Sequence, residues 1–331
     1  MNLNELTGRI RATVDSHRLA REGEYANWLW QNAAGTRDLG VSAYGCADAA
    51  NILYTLNDFP RDPRVRQACV NVLKGLQDRE SGLYRESHHP IHTTAHCLAA
   101  LELFDAAPDH PLTALLPHAT VEGLYALLES LDWKGTPWPQ SHQGAGVYAA
   151  LVLSGHVDEA WCGAYFDWLW DECDPETGLW RKGLVTEGTA PVFHHMGGTF
   201  HYVFNHEYAR RPLRYPERLI DTCLALYADG QIGEHFGRHV GFLEIDWTYC
   251  VTRASRQTPY RFADGKAALR RFARDYVDYL YSLDWQTDDG FNDLHMLFGA
   301  VCCLAELMQA LPGELTARKP LRLVLDRRPF I

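Results

Sequence analysis

The segment from Phe193 to Tyr208 concentrates side chains that could transfer protons. His194, His201 and Asn205 are separated by seven and four residues, so a helix would place them near one face. A histidine beside a tyrosine and an asparagine could neutralise a uronate and abstract its proton. We therefore predict His195 and His201 as catalytic residues and His194 as a substrate-binding residue. The alternative is that these are core histidines bonded to loop carbonyls.

Two adjacent glycines, Gly197 and Gly198, lie inside the same predicted helix. Each glycine in a helix interior costs about 1 kcal/mol relative to alanine. That cost indicates that another group approaches the helix backbone closely at this point.

A second segment places two carboxylates close together, at Glu244 and Asp246. One at a helix N-terminus and one in the approach loop could both face a cavity, and two carboxylates flanking a sugar are the arrangement of glycoside hydrolases. The alternative is helix capping, which also favours acids at this position. The substrate-binding candidates nearby are Arg238, Trp247, Tyr249 and Arg253. An arginine could pair with a substrate carboxylate and the indole could stack on a sugar ring.

Four histidines in the first third of the chain raise the question of a metal site. His88, His92 and His96 follow the i, i+4, i+8 spacing that favours a zinc interpretation. Pro90 interrupts the helix before His92, however, and no metalloprotease pattern follows. We therefore predict that His88, His89 and His92 line a binding funnel, and that the protein holds no metal.

The remaining candidates lie at similar points of other predicted helices. Tyr44 and Asp48 are four residues apart, and Asp48 is either a buried paired acid or a site carboxylate with a raised pKa. We predict a substrate-binding role for Tyr44 and a catalytic role for Asp48. Trp138, His142 and His295 complete the predicted substrate-binding set.

These residues recur at a nearly constant spacing along the chain. Predicted helices rich in small residues begin at intervals of 49 to 53 residues, near Ser42, His92, His142, His195, Glu244 and His295. Amphipathic helices and Gly- and Trp-containing loops alternate with them, and no period-2 strand pattern is present. A period of this length indicates a repeat architecture. We predict an all-α fold, a single domain over residues 1–331 in which about six hairpins form a ring and the tail from Leu321 packs across it.

The loop–helix unit that runs from Leu76-Gln77-Asp78 through Gly82-Leu83-Tyr84 to His92-Thr93-Thr94 resembles the repeat of protein prenyltransferase and terpenoid cyclase toroids. It is also similar to the hairpins of six-hairpin glycosidases, polysaccharide lyases and sugar epimerases. The resemblance implies an (α/α)6 toroid whose funnel lies at the N-termini of the inner helices. It does not select one family. The aspartate-rich signature of triterpene cyclases and the zinc ligand set of prenyltransferases are both absent.

Composition excludes several classes of function. The net charge is −11 and no basic run precedes the tail at Arg322 to Arg328, so we expect no nucleic-acid partner. No apolar run is long enough to span a bilayer, and the N-terminus does not read as a signal peptide. The nine cysteines fit reduced core residues better than a disulfide framework. We expect a cytoplasmic protein without a membrane partner.

The functional prediction is a carbohydrate-active enzyme, a hydrolase, lyase or epimerase of an oligosaccharide or uronate, without a cofactor. Glu244 or Asp246 would be the general acid and Asp48 or a histidine the base. One alternative is an isoprenoid cyclase or dehydratase, for which we expect a mostly aromatic and aliphatic funnel. Another is a non-catalytic toroid that binds a peptide or protein partner, for which we expect salt-bridged acids and a shallow cleft.

Overall fold

The protein is all-helical throughout the part of the chain that can be described. The computed structural model describes residues 1–232 and 240–330, and no β-strand occurs among them. The α-helices are α1 (Asn4–Ser16), α2 (Ala43–Thr55), α3 (Pro63–Gly75), α4 (Pro90–Leu103), α5 (Val121–Ser130), α6 (Pro137–Leu153), α7 (Glu159–Glu172), α8 (Val192–Ala209), α9 (Pro216–Ala228), α10 (Leu243–Ala254), α11 (Phe262–Ser282), α12 (Asp289–Asn292) and α13 (Leu294–Ala310). Short 3-10 helices cover Thr113–His118 and Val324–Asp326.

Helices α2, α4, α6, α8, α10 and α13 contact one another in that order, and α13 contacts α2 again. The other long helices lie outside this set: α3 packs on α2 and α4, α9 on α10, and α11 on α13 and α9. The inner helices are buried on nearly all sides, whereas α3, α9 and α11 bury a single face. This difference matches the alternation of small-residue and amphipathic segments along the sequence.

Glycines let the inner helices α6 and α8 approach each other closely. A Cβ at Gly197 would lie 2.5 Å from the Trp138 ring, and one at Gly198 would lie 2.9 Å from the Pro137 carbonyl oxygen. On the α6 side, a Cβ at Gly144 would lie 2.3 Å from the Tyr202 hydroxyl. The paired glycines predicted that another group approaches the helix backbone closely. That group is the first turn of α6, which packs against the α8 backbone at Gly197 and Gly198.

Capping residues fix where the inner helices begin. The Ser42 side chain accepts a hydrogen bond from the Gly45 amide, and Asp293 accepts one from the His295 amide. Proline occupies the first turn of α4 and of α6, where its missing N–H leaves no helix hydrogen bond unmade. These starts place His92, His142 and His295 within the first two turns of their helices.

The chain ends by crossing the inner helices, as predicted, over residues 321–330. The 3-10 helix Val324–Asp326 contacts both α2 and α8, which are opposite each other in the order of inner helices. Asn205 of α8 donates a hydrogen bond from Nδ2 to the Pro329 carbonyl at 2.9 Å. The buried Phe330 ring lies with its centroid 5.0 Å from that of His92.

All nine cysteines are free thiols, most of them buried. A search of residues 1–232 and 240–330 finds no helix with the length and apolarity needed to cross a membrane.

Candidate functional site

A cavity of about 300 Å³ opens at the N-terminal ends of the inner helices. Imidazoles and carboxyl groups form much of its wall, and indole and phenyl rings contribute apolar surface. It is lined by His88, His92, Trp138, Pro139, His142, His194, His201, Gly241, Phe242, Leu243, Glu244, Asp246, His295 and Met296. No lysine or arginine belongs to this lining among the described residues.

Three histidines from successive inner helices meet at one point of the wall. His92 on α4, His142 on α6 and His201 on α8 each offer a ring nitrogen, and these nitrogens all lie within 4.8 Å of one another. The ring centroids are 4.4 Å apart for His92 and His142, and 5.0 Å apart for His142 and His201. We call this set the three-histidine cluster.

Neighbouring groups determine which nitrogen of His201 is free. Ser141 donates its hydroxyl proton to the Trp138 carbonyl at 2.6 Å, so the contact of 3.0 Å between Ser141 Oγ and His201 Nδ1 requires that Nδ1 donates. The same Nδ1 lies 3.2 Å from the Gly197 carbonyl. With Nδ1 protonated, the lone pair of His201 is on Nε2. On His92 the bonded atom is likewise Nδ1, which lies 2.6 Å from the Tyr44 hydroxyl oxygen.

Burial keeps the three-histidine cluster neutral. Desolvation lowers the pKa of His92 and His142 well below the ordinary value, and nearby imidazoles lower it further. Burial also lowers the pKa of His201 to about 3. Each ring therefore carries a lone pair at physiological pH.

Asp48 lies behind the wall and holds two further histidines. Its carboxylate, fully buried, accepts a hydrogen bond from His96 Nε2 at 2.8 Å and from His295 Nδ1 at 3.1 Å. Burial alone would raise the pKa of Asp48, but the two histidines outweigh it and hold that pKa below the usual range. Because Nδ1 of His295 is occupied by Asp48, Nε2 is the nitrogen that His295 can offer to the cavity.

Glu244 and Asp246 line the cavity as buried acids. They are 1% and 0% exposed, and none of their four carboxyl oxygens has a hydrogen-bond partner among the described residues. Burial raises the pKa of Glu244 to about 7. Burial, followed by the charge of Glu244, raises the pKa of Asp246 well above its ordinary value. Both acids lie within the first turn of α10, so neither belongs to an approach loop as the sequence suggested.

The structure brings together most of the predicted site residues. His88, His92, Trp138, His142, His194, His201, Glu244, Asp246 and His295 line the cavity. Tyr44 and Asp48 contact cavity-lining histidines from behind. The prediction for Asp48 left two possibilities open, and its geometry is that of the buried paired acid.

His195 points away from the cavity, which corrects its predicted catalytic position. Its Nδ1 lies 3.3 Å from the Trp180 carbonyl and its Nε2 lies 3.5 Å from the Thr189 hydroxyl. Both ring nitrogens thus contact the loop before α8. The alternative reading of a core histidine bonded to a loop carbonyl describes this residue.

Trp247 was predicted to stack on substrate, and this placement is also wrong. Its indole N–H donates to the Cys223 carbonyl on α9 at 2.8 Å. The ring packs against Tyr227 and Phe272, with centroids 5.0 and 4.9 Å away. Trp247 therefore fills the core between α10 and the outer helices.

Tyr249 and Arg253 lie too far along α10 to reach the cavity. The Arg253 guanidinium, fully buried, binds the Glu306 carboxylate at 2.7 Å and Asp326 at 2.6 Å, and lies 4.0 Å from the centre of the Tyr249 ring. Nine residues of helix separate Arg253 from Glu244, a rise of about 13 Å. Its partners are thus protein carboxylates and not a substrate. The predicted residue Arg238 lies outside the described residues.

Sequence reasoning missed Ser141 and gave His96 no part in the site. Both act behind the wall, on His201 and on Asp48. One signal was available for His96: it follows Asp48 by 48 residues, as His92 follows Tyr44, and each pair is in contact. Residues one repeat apart occupy equivalent positions on neighbouring helices, so such pairs predict contacts.

The site thus combines a three-histidine cluster, a histidine held by a buried aspartate and two unpaired carboxyl groups around one cavity. Such a concentration of perturbed titratable groups in a cleft is typical of functional sites. Comparisons with protein-family models, with curated proteins and with solved structures give no match.

Proposed function

We propose that the protein is an enzyme that performs general acid–base chemistry on a small carbohydrate, as a hydrolase, lyase or epimerase. The observation that carries the proposal is the pair of buried carboxyl groups of Glu244 and Asp246, for which the described part of the chain offers no hydrogen-bond partner. They share a cavity with the Asp48-bound His295. Proteins normally pair buried charges, and exceptions concentrate at active sites.

The closed order of contacts among α2, α4, α6, α8, α10 and α13 supports an (α/α)6 toroid as the architecture. In this proposal the outer helices form the second layer of the ring. The cavity then lies at the mouth of the ring, where the N-terminal turns of the inner helices converge.

Glu244 is suited to the role of general acid. With a pKa of about 7, a large fraction of its carboxyl groups is protonated at neutral pH. A protonated carboxyl group can donate to the leaving oxygen of a glycosidic bond or to the carbonyl oxygen of a sugar. Burial also raises the pKa of Asp246, and its protonated form would serve as a hydrogen-bond donor to substrate hydroxyls.

His295 is suited to the role of base. The Asp48 carboxylate orients the ring through Nδ1 and stabilises the cation that forms when Nε2 takes a proton. His295 could then remove a proton from water or from a sugar carbon. Hydrolysis, elimination and epimerisation each require this combination of a donor and an acceptor.

The wall favours a neutral sugar over a uronate. The described lining contains no lysine or arginine that would pair with a substrate carboxylate, and Arg253 is engaged elsewhere. Hydroxyl groups can exchange hydrogen bonds with the imidazoles and carboxyls, while the Trp138 face can stack on a pyranose ring. The volume of about 300 Å³ suits a monosaccharide or the end of an oligosaccharide.

Two other functions are less well supported. A binding module for a peptide would have salt-bridged acids, but Glu244 and Asp246 have no cationic partner among the described residues. An isoprenoid cyclase must protect a carbocation from bases, and the neutral imidazoles of the wall would quench it.

A substrate panel tests the proposal. Neutral oligosaccharides, uronate oligosaccharides and isoprenoid diphosphates are incubated with wild type, Glu244→Gln, Asp246→Asn and Glu122→Gln. Glu122 is an exposed acid on α5, so its variant is a matched control. We expect turnover of a neutral sugar by wild type and the control, with a loss of about 10²–10⁴-fold in Glu244→Gln. Equal turnover by Glu244→Gln would contradict its role, and turnover of isoprenoids alone would contradict the carbohydrate assignment.

A further inference from the structure

We propose that the three-histidine cluster, His92, His142 and His201, is a binding site for a divalent transition metal of the zinc class. The sequence predicted no metal, because Pro90 interrupts the spacing of His88, His92 and His96 that favoured one. The cluster instead draws one ligand from each of α4, α6 and α8. This inference goes beyond the acid–base proposal and does not depend on it.

The distances suit a metal ion after small ring movements. The three ring nitrogens lie within 4.8 Å of one another, whereas nitrogens on a tetrahedral zinc at about 2.1 Å are separated by about 3.4 Å. Rotation of the imidazoles about their side-chain torsion angles would bring the three nitrogens to the shorter separation.

Hydrogen bonds already orient two of the three ligands. His201 donates from Nδ1 to the Gly197 carbonyl and to Ser141, which leaves Nε2 as the ligand atom. His92 is held through Nδ1 by the Tyr44 hydroxyl. Metal-binding histidines in proteins are oriented in this way, through the ring nitrogen that does not bind the metal.

A second group of possible ligands, Asp48, His96 and His295, is a weaker candidate. Its nearby atoms already bind one another, since Asp48 accepts hydrogen bonds from His96 Nε2 and His295 Nδ1. A metal there would have to replace both bonds. In the three-histidine cluster, by contrast, no hydrogen bond joins the three rings to one another among the described contacts.

The ligand set indicates the class of metal. Three imidazole ligands suit zinc, cobalt, nickel or copper and disfavour magnesium and calcium, which require oxygen ligands. The cluster lines the cavity, so a position for water or substrate stays open, as in catalytic zinc sites. The buried Phe330 ring lies behind His92 and His201, with centroids 5.0 and 5.6 Å away, and gives the site an apolar backing.

Metal titration of the full chain, first stripped with a chelator, tests the inference. Zinc binding is measured by calorimetry, and cobalt(II) binding by its visible absorption, which reports the coordination geometry. We expect one equivalent per chain in wild type and an affinity more than about 100-fold lower in His142→Ala. His142 is partly exposed and has no described hydrogen bond, so this change should leave the fold intact.

Two further variants separate a metal site from nonspecific histidine binding. His194→Ala removes a cavity histidine outside the cluster and should bind as wild type does. Tyr44→Phe keeps all three ligands but removes the hydrogen bond to His92, and should weaken binding about tenfold. Absence of stoichiometric binding in wild type, or equal affinity in His142→Ala, would overturn the inference. Failure of every sugar to react would leave this result unaffected, so the two proposals fail separately.

Discussion

Unlike the buried acids Glu306 and Asp48, Glu244 and Asp246 have no hydrogen-bond partner among residues 1–232 and 240–330. Glu306 is as deeply buried but binds Arg253 through both carboxylate oxygens, and Asp48 accepts hydrogen bonds from two histidines. An unpaired buried carboxyl group lowers stability when it ionises. Such a loss of stability is retained where the protonated group has a use, and this supports the proposal that Glu244 and Asp246 take part in acid–base chemistry.

The raised pKa of Glu244 predicts how stability depends on pH. The folded protein holds this proton up to about pH 7, whereas the unfolded chain releases it near the ordinary value of 4.5. The contribution of Glu244 to the free energy of unfolding should therefore decrease as the pH rises from about 4.5 to about 7. Glu244→Gln removes this loss and should be more stable than wild type at pH 8, by on the order of 3 kcal/mol. Urea unfolding at pH 5 and pH 8 measures the difference.

Glu122→Gln on α5 serves as the control and should follow wild type at both pH values. Other groups near Glu244, namely Tyr276, Tyr279 and Cys303, have raised pKa values because of burial, so they stay neutral over this range. Burial also raises the pKa of Asp246, which is present in both proteins. An identical pH dependence in wild type and Glu244→Gln would show that Glu244 is ionised and paired in the folded protein.

At the scale of elements, the contact between α6 and α8 sets the position of one side of the cavity wall. Trp138, His142, His194 and His201 all belong to these two helices. Gly197 allows the Trp138 ring to lie against the α8 backbone, since a Cβ there would be 2.5 Å from that ring. The glycine pair is therefore explained by packing of the wall and not by direct contact with a substrate.

Gly197→Ala should destabilise the protein and displace Trp138. Overpacking of a closely packed core typically costs about 1–3 kcal/mol. The matched control is Gly163→Ala on outer helix α7, where a Cβ meets no atom within 4 Å. That change should stabilise by about 0.5–1 kcal/mol through helix propensity. Thermal and urea unfolding of both variants tests the pair, and a neutral Gly197→Ala would mean that α6 and α8 are further apart.

At the scale of the whole molecule, the cavity depends on the C-terminal segment as well as on the helices. Residues 321–330 cross from α2 to α8, and the Phe330 ring lies beneath His92 and His201. Arg253 joins α10 to both α13 and this segment through Glu306 and Asp326. The end of the chain therefore connects inner helices that are distant in sequence.

Phe330→Ala should remove the support beneath the three-histidine cluster. Truncation of a fully buried phenylalanine costs about 3–5 kcal/mol. Phe262→Ala, at a position that is 49% exposed, should change stability by less than about 0.5 kcal/mol. Equilibrium unfolding compares the two variants. A small effect at Phe330 would indicate that the terminal segment packs weakly and does not shape the cavity.

Some site residues were predictable because their helices begin with recognisable signals. Proline and capping residues locate the first turns of α4, α6 and α13, and His92, His142 and His295 follow from those starts. His195 and Trp247 were misplaced for one common reason. Inner helices are buried on both sides, so their apolar pattern does not reveal which face points to the cavity.

The sequence by itself determined the helical class, the spacing of about 50 residues between inner helices and the set of turns that carries polar side chains. Only the tertiary structure decided which of these side chains converge. Convergence depends on how far each helix is rotated about its axis, and packing against neighbours distant in sequence sets that rotation. The meeting of His92, His142 and His201, and the burial of Glu244 at the cavity, are therefore properties of the assembled helices and not of any local pattern.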